Sequence, residues 1–148
     1  MTGPLCDEVA GVTDGSAMLD RMERSGLFLV PLDTTRRWYR YHRLFGDWLR
    51  HELRKTDPAI IPTLHLAAAQ WYAETDSLEP AVDHAIEAGD HLLAARLIDR
   101  YHQDWAAVHW SLECRWFQAI SDDAIRAFHG AAVGGFKVAL ARGGFAAS

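Results

Sequence analysis

The sequence predicts a mainly α-helical chain interrupted by one β-hairpin, and three observations carry that expectation. Residues Leu27–Leu53, LFLVPLDTTRRWYRYHRLFGDWLRHEL, read as two short strands around a polar turn, followed at once by helical spacing. From about Ser77 the rhythm becomes helix, tight polar turn, helix, with alanines where helices would touch. The 148 residues, 49% apolar and 24% charged, have the make-up of an ordinary globular chain, long enough for one domain or two small ones sharing a core.

Taken in order, Asp14 is placed to cap a first helix carrying Met18, Leu19 and Met22, with Gly26 as its stop. The first strand is expected over about 27–31, with Phe28 and β-branched Val30. Asp33-Thr34-Thr35-Arg36 supplies the turn, and the second strand covers about 37–41, where Trp38, Tyr39 and Tyr41 suit a pleated surface. At His42 the period turns helical, and Leu44, Phe45, Trp48, Leu49 and Leu53 form one apolar face. Gly46 weakens that helix by about 1 kcal/mol relative to alanine, and its small size allows a close neighbour. A hairpin that packs on helices and runs straight into one is the layout of a winged-helix unit.

Asp57-Pro58 opens the next helix, whose regular part either starts at Pro62 or kinks there. Its buried stripe is Leu64, Ala67, Ala68, Trp71 and Tyr72. Then come a helix with Ala81, Val82, Ala85 and Ile86 inward, ended by Gly89, and one capped by Asp90 with Leu93, Ala94, Leu97, Ile98, Tyr101 and Trp105 inward. Ser111 is expected to cap a helix bearing Leu112, Trp116 and Ile120, and Ser121 another. The expected organisation is a partial winged-helix domain over 1–56, a tetratricopeptide-like helical array over 57–129, and a glycine-rich tail over 130–148 that frays.

The formal net charge of −5 hides an asymmetry. Arg21–Lys55 holds nine Lys/Arg against four Asp/Glu, whereas Thr56–Phe128 holds four against twelve. The two blocks either attract each other or face different partners. Cys6 and Cys114 lie far apart in sequence without a ligand motif, which reads as free thiols in a reducing cytoplasm. No apolar run approaches a bilayer span of about 20 residues. The start, MTGPLCDEVAG, has neither a basic head nor a long apolar segment, so no signal peptide is expected.

The segments LCDEVAG, MLDRMERSGLFLVPLDTTRRWYRYHRLFGDWLRHEL and LHLAAAQWYAETDSLEPAVDHAIEAGDHLLAARLI together resemble the middle of the large ATP-binding LuxR-type transcriptional regulators, the group that includes the maltose-regulon activator. The resemblance spans about residues 4–125 and is most specific at LFLVPLD and RWYRYHRLF. It implies a winged-helix domain that follows a nucleotide-binding domain, then a tetratricopeptide-like superhelix and a C-terminal helix-turn-helix. The chain departs from that plan. It has no G-x-x-x-x-G-K-[ST] loop and no complete DNA-reading module, and its first residues fall inside the winged-helix region. It is therefore expected to be a fragment, a truncated gene or a degenerate paralogue. ATP or ADP is implied only for a full-length relative, and no cofactor is expected here.

Among single residues, His42 stands out. The YHRLFGDWL segment resembles the winged-helix sensor motif of signal-transduction ATPases, in which a histidine before an apolar helix contacts nucleotide phosphates. An imidazole at a helix start can donate to an anion there. The bland alternative is a hairpin-terminal histidine that bonds the backbone. Arg36, Arg37, Arg40 and Arg43 form a basic cluster able to lie along phosphates, or simply a solvated hairpin, or salt bridges to the acidic helical half. Trp38, Tyr39 and Tyr41 could stack on bases, but hairpin packing better explains their alternation with arginine. None of the eight histidines falls in a zinc pattern, and His84, His91, His102 and His109 lack ligand spacing. Gly11–Gly15 lacks the serine of a nucleophile elbow, and Asp122-Asp123 reads as a helix start. Catalytic and metal-binding residues are thus not expected. Trp71, Trp105 and Trp116 lie in phase with core stripes, whereas Trp110 fits least and is the candidate for a partner surface.

The leading expectation is a non-enzymatic cytoplasmic regulatory fragment that couples signals or binds a protein, with a protein partner or self-association and no membrane or metal. Nucleic-acid binding through the basic wing is the alternative, and a remnant without independent function is a third. The protein-binding reading carries its own structural expectation: an apolar surface left open where absent neighbours would pack.

Overall fold

The computed structural model describes residues 1–101 and 110–128. Trp105, His102, His109 and the tail at 130–148 lie outside them. The chain divides into two compact units, Met1–Trp71 and the part from Tyr72 onward.

In the first unit, α1 (Gly3–Ala10) and α2 (Gly15–Arg24) precede a two-stranded antiparallel sheet, β1 (Leu29–Pro31) and β2 (Tyr39–Tyr41). Helix α3 (Arg43–Thr56), a 3₁₀ turn (Pro58–Ile60) and α4 (Ile61–Glu74) follow. Helix α1 was not expected from the sequence. Its signals are local: the Thr2 hydroxyl oxygen accepts from the Leu5 amide, and proline sits in the first turn. Two glycines let α1 and α2 touch. A Cβ on Gly3 would fall 1.9 Å from Ser16 Oγ, and one on Gly15 would fall 2.6 Å from the Gly3 carbonyl oxygen. The Gly15 amide also donates to Asp7 Oδ1 at 2.8 Å.

Helix α2 ends as the sequence foretells. Gly26 turns left-handed (φ +68°), its amide donates to the Glu23 carbonyl, and the Leu27 amide donates to the Met22 carbonyl. Both closing bonds of a Schellman motif are present. Asp14 stands at the N-cap position, but its carboxylate makes no capping bond and instead pairs with Arg21 at 2.9 Å.

The strands are shorter than the sequence pattern suggests. Phe28 is left-handed (φ +54°), an unusual state for a bulky residue, so β1 starts at Leu29. On the other side, the Asp33 carboxylate takes the Arg37 and Trp38 amides at 2.9 and 3.0 Å, which leaves β2 to begin at Tyr39. The register pairs Leu29 with Tyr41, Val30 with Arg40 and Pro31 with Tyr39. The Met1 ammonium donates to the Tyr39 carbonyl and the Tyr39 amide to the Met1 carbonyl, so residue 1 also bonds β2. The core gathers on the inner side: Leu19, Leu29 and Tyr39 are buried, flanked by Met1, Cys6, Met22 and Tyr41.

Gly46 is the buried residue of α3. A Cβ there would lie 3.4 Å from Tyr41 Cβ, an ordinary contact. The close neighbour exists, yet it does not require glycine. Gly46→Ala is expected to stabilise the fold by up to about 1 kcal/mol through helix propensity, read as a raised urea midpoint. Pro62 is the second residue of α4, so regular helix starts beside it without a kink.

In the second unit, α5 (Leu78–Glu87) and α6 (His91–Tyr101) form an antiparallel pair, and α7 (Trp110–Ala119) and α8 (Asp122–Ala127) pack on α5 and α6 respectively. Ala81, Val82 and Ala85 from α5 and Leu93, Ala94, Leu97 and Ile98 from α6 are buried as their spacing predicts. Asp90 Oδ1 caps α6 through the Leu93 amide, and Ser121 Oγ caps α8 through the Ala124 amide. Ser111 is not a cap, because α7 already includes Trp110. Among the described residues no helix is long and apolar enough to cross a membrane.

Candidate functional site

The hairpin sorts its side chains by alternation. Tyr39 and Tyr41 face inward with Leu29, whereas Val30, Leu32, Trp38 and Arg40 remain exposed. Burial pushes the Tyr39 phenol above its ordinary pKa, and its hydroxyl donates to Asp20 Oδ1 at 3.0 Å. The aromatic–arginine run is thus two faces of one ribbon. Tyr39 is core, and Trp38 is surface.

Asp33, not singled out from the sequence, organises the turn. Its carboxylate accepts from the Thr35 hydroxyl as well as from the Arg37 and Trp38 amides. The Arg36 amide closes a turn onto the Asp33 carbonyl, and Arg36 itself is left-handed (φ +53°). The Thr35 hydroxyl first, then the Trp38 amide, hold the Asp33 carboxyl below its usual value of 3.8. Asp20 is held low too, chiefly by Arg24 and then by Tyr39. A folded-state pKa below the unfolded one means stability that is full above about pH 4 and lost as the pH falls through the folded value. The protection of the Arg37 and Trp38 amides against exchange, taken relative to their intrinsic rates at each pH, should therefore fall in acid, and Asp33→Asn should flatten that dependence.

The four arginines do not form one row. Arg36 pairs loosely with Glu23 at 3.7 Å, Arg37 stands in the loop, Arg40 lies on the outer ribbon face, and Arg43 opens α3. Among the described residues Arg37, Arg40 and Arg43 have no ion-pair partner. His42 is the N-cap residue of α3, with φ −53° and ψ 136° and no side-chain capping bond. Its amide donates to the Phe28 carbonyl at 2.7 Å, and its carbonyl accepts from Gly46. The imidazole is exposed, and the first turn of α3 carries no acidic residue.

Next to His42 lies the feature the sequence did not place. The apolar stripe of α3 reads as a buried face, yet Leu44 is 74% and Trp48 54% exposed. Phe28, 61% exposed, packs on Phe45 with tilted rings, 5.3 Å between ring centres. Phe45 also meets Tyr41 at 5.5 Å and stacks on Trp48 at 5.7 Å. The left-handed Phe28 backbone aims that ring at α3. The result is an open aromatic surface bordered by His42 and Arg43. Trp110 opens α7, but its side chain lies outside the described residues.

Residues 1–61 match the family model of the MalT winged helix domain. The aromatic surface, His42 and all four arginines lie inside that winged helix. The serine/threonine-protein kinase PknK of Mycobacterium tuberculosis, in two strains, and that of Mycobacterium bovis are each 40% identical to the chain over 102 residues. The match covers 69% of this chain and 9% of each kinase, so the chain spans under a tenth of these relatives' length.

Two other histidines make structural contacts. His84 stacks on Tyr72 with ring centres 5.5 Å apart, and His91 Nδ1 accepts from the Ser121 amide at 3.0 Å. Among the described residues no group of three or more His, Cys, Asp and Glu is arranged to hold a metal ion. Cys6 and Cys114 are free, and burial first of all pushes the Cys6 thiol up.

Proposed function

We propose that the chain is a non-catalytic segment of the LuxR-type regulator kind, acting by docking a protein surface and coupling it to neighbouring modules. The observation that carries this reading is the open aromatic surface of Phe28, Leu44, Phe45 and Trp48 inside the MalT-type winged helix. Contiguous apolar surface on a folded domain marks a place where another surface packs. His42, at the positive end of α3, would sense an anion such as a nucleotide phosphate presented by an adjacent nucleotide-binding domain. The helices from Tyr72 onward would serve as the start of a tetratricopeptide-like array in a cytoplasmic regulator. Sedimentation velocity tests the docking surface. The wild-type chain should self-associate at rising concentration for want of its partner, and a Leu44→Ser, Trp48→Ser variant should stay monomeric. Wild-type and variant chains that sediment identically would count against it.

Direct nucleic-acid binding is the second reading, favoured by the unpaired and exposed Arg37, Arg40 and Arg43. It requires affinity for duplex DNA that falls steeply with salt and is lost when Arg36, Arg37 and Arg40 are replaced together.

A further inference from the structure

Beneath the wing loop, within the first unit, lies a cavity of about 400 Å³, a volume in the range that holds small ligands. Arg36, Arg37, Trp38 and Trp71 line it, with Thr2 and Ser16. Two arginines and two tryptophans line one space, and no carboxylate is among the residues that line it. We propose that this cavity binds a small aromatic anion, a ring bearing a phosphate or carboxylate group. The chemistry matches in both halves. A guanidinium fork suits a planar or tetrahedral oxyanion, and an indole face offers a flat ring a stacking partner. Arg37 has no ion-pair partner among the described residues, and Arg36 is held only at 3.7 Å by Glu23, so both charges can turn to a ligand.

The site is also preorganised. The Asp33 carboxylate fixes the Arg37 and Trp38 backbones, and the turn onto the Asp33 carbonyl fixes Arg36. Gly3 and Ser16, which also line the cavity, approach too closely for a side chain to fit on Gly3. This proposal uses a different set of residues from the aromatic surface on α3, and either can fail alone.

Isothermal titration of the full chain with phenyl phosphate, phenol and inorganic phosphate separates ring from charge. Phenyl phosphate should bind, and phenol and inorganic phosphate should each bind at least about tenfold more weakly. Arg37→Ala and Trp38→Ala, both exposed positions, should each weaken phenyl phosphate binding by about tenfold or more, with unchanged circular dichroism. No heat with phenyl phosphate at millimolar concentration, or equal binding by wild type and both variants, overturns the proposal. So does a phosphotyrosine peptide that binds more than about tenfold tighter than phenyl phosphate, since the cleft would then read a protein segment.

Discussion

Trp116→Ala is expected to destabilise the second unit by about 3–5 kcal/mol. Trp116 is 1% exposed on α7, the largest fully buried side chain among the described residues. Its loss removes the transfer free energy of an indole and leaves a cavity that neighbouring helices only partly close. Its Nε1–H also donates to Asp83 Oδ1 at 2.7 Å. That carboxylate keeps a bond from Arg115 Nη2 to each oxygen at 2.8 Å and is part-exposed, so packing accounts for most of the loss. Trp116→Phe isolates the remainder and should cost only about 1–2 kcal/mol. Urea unfolding followed by far-UV circular dichroism reads both.

Leu19→Ala should cost about 2–5 kcal/mol, through the first unit. Leu19 is 1% exposed and packs with Leu29 and Tyr39, one residue from each strand. The hairpin has only three paired residues per strand, and an isolated hairpin is marginal in water. It is held by that contact, by the Tyr39–Asp20 hydrogen bond and by the two backbone bonds between Met1 and Tyr39. Loss of Leu19 should therefore raise amide exchange in β1 and β2 before it changes α3. Equal protection in wild type and variant would show that the ribbon rests on something else.

Much of this architecture is legible in the residues. The hairpin and the helix after His42 follow from a change of period at one point, from two to 3.6. The α5–α6 pair follows from alanines at helical spacing with Gly89 and Asp90 between them. What the sequence leaves out has physical causes. Helix α1 is eight residues long, too short to show a convincing apolar stripe, so only its Thr2 cap and proline announce it. The strand ends depend on a left-handed Phe28 and on the side chain of Asp33, and neither is a matter of propensity. The stripe Leu44, Phe45, Trp48 has the spacing of a core face. Spacing shows that a face is apolar, but not that a neighbour is present to cover it. The open aromatic surface thus hides in what reads as ordinary core. His42 was found at its position, whereas the aromatic group beside it needs the three-dimensional meeting of Phe28 with Phe45.

The most direct test is an amide and methyl NMR perturbation map of the chain over a concentration series. Docking through the open face predicts shifts confined to Phe28, His42, Leu44, Phe45 and Trp48, absent from the Leu44→Ser, Trp48→Ser variant. A spectrum unchanged with concentration, which instead shifts at Arg37, Arg40 and Arg43 when duplex DNA is added, would contradict it.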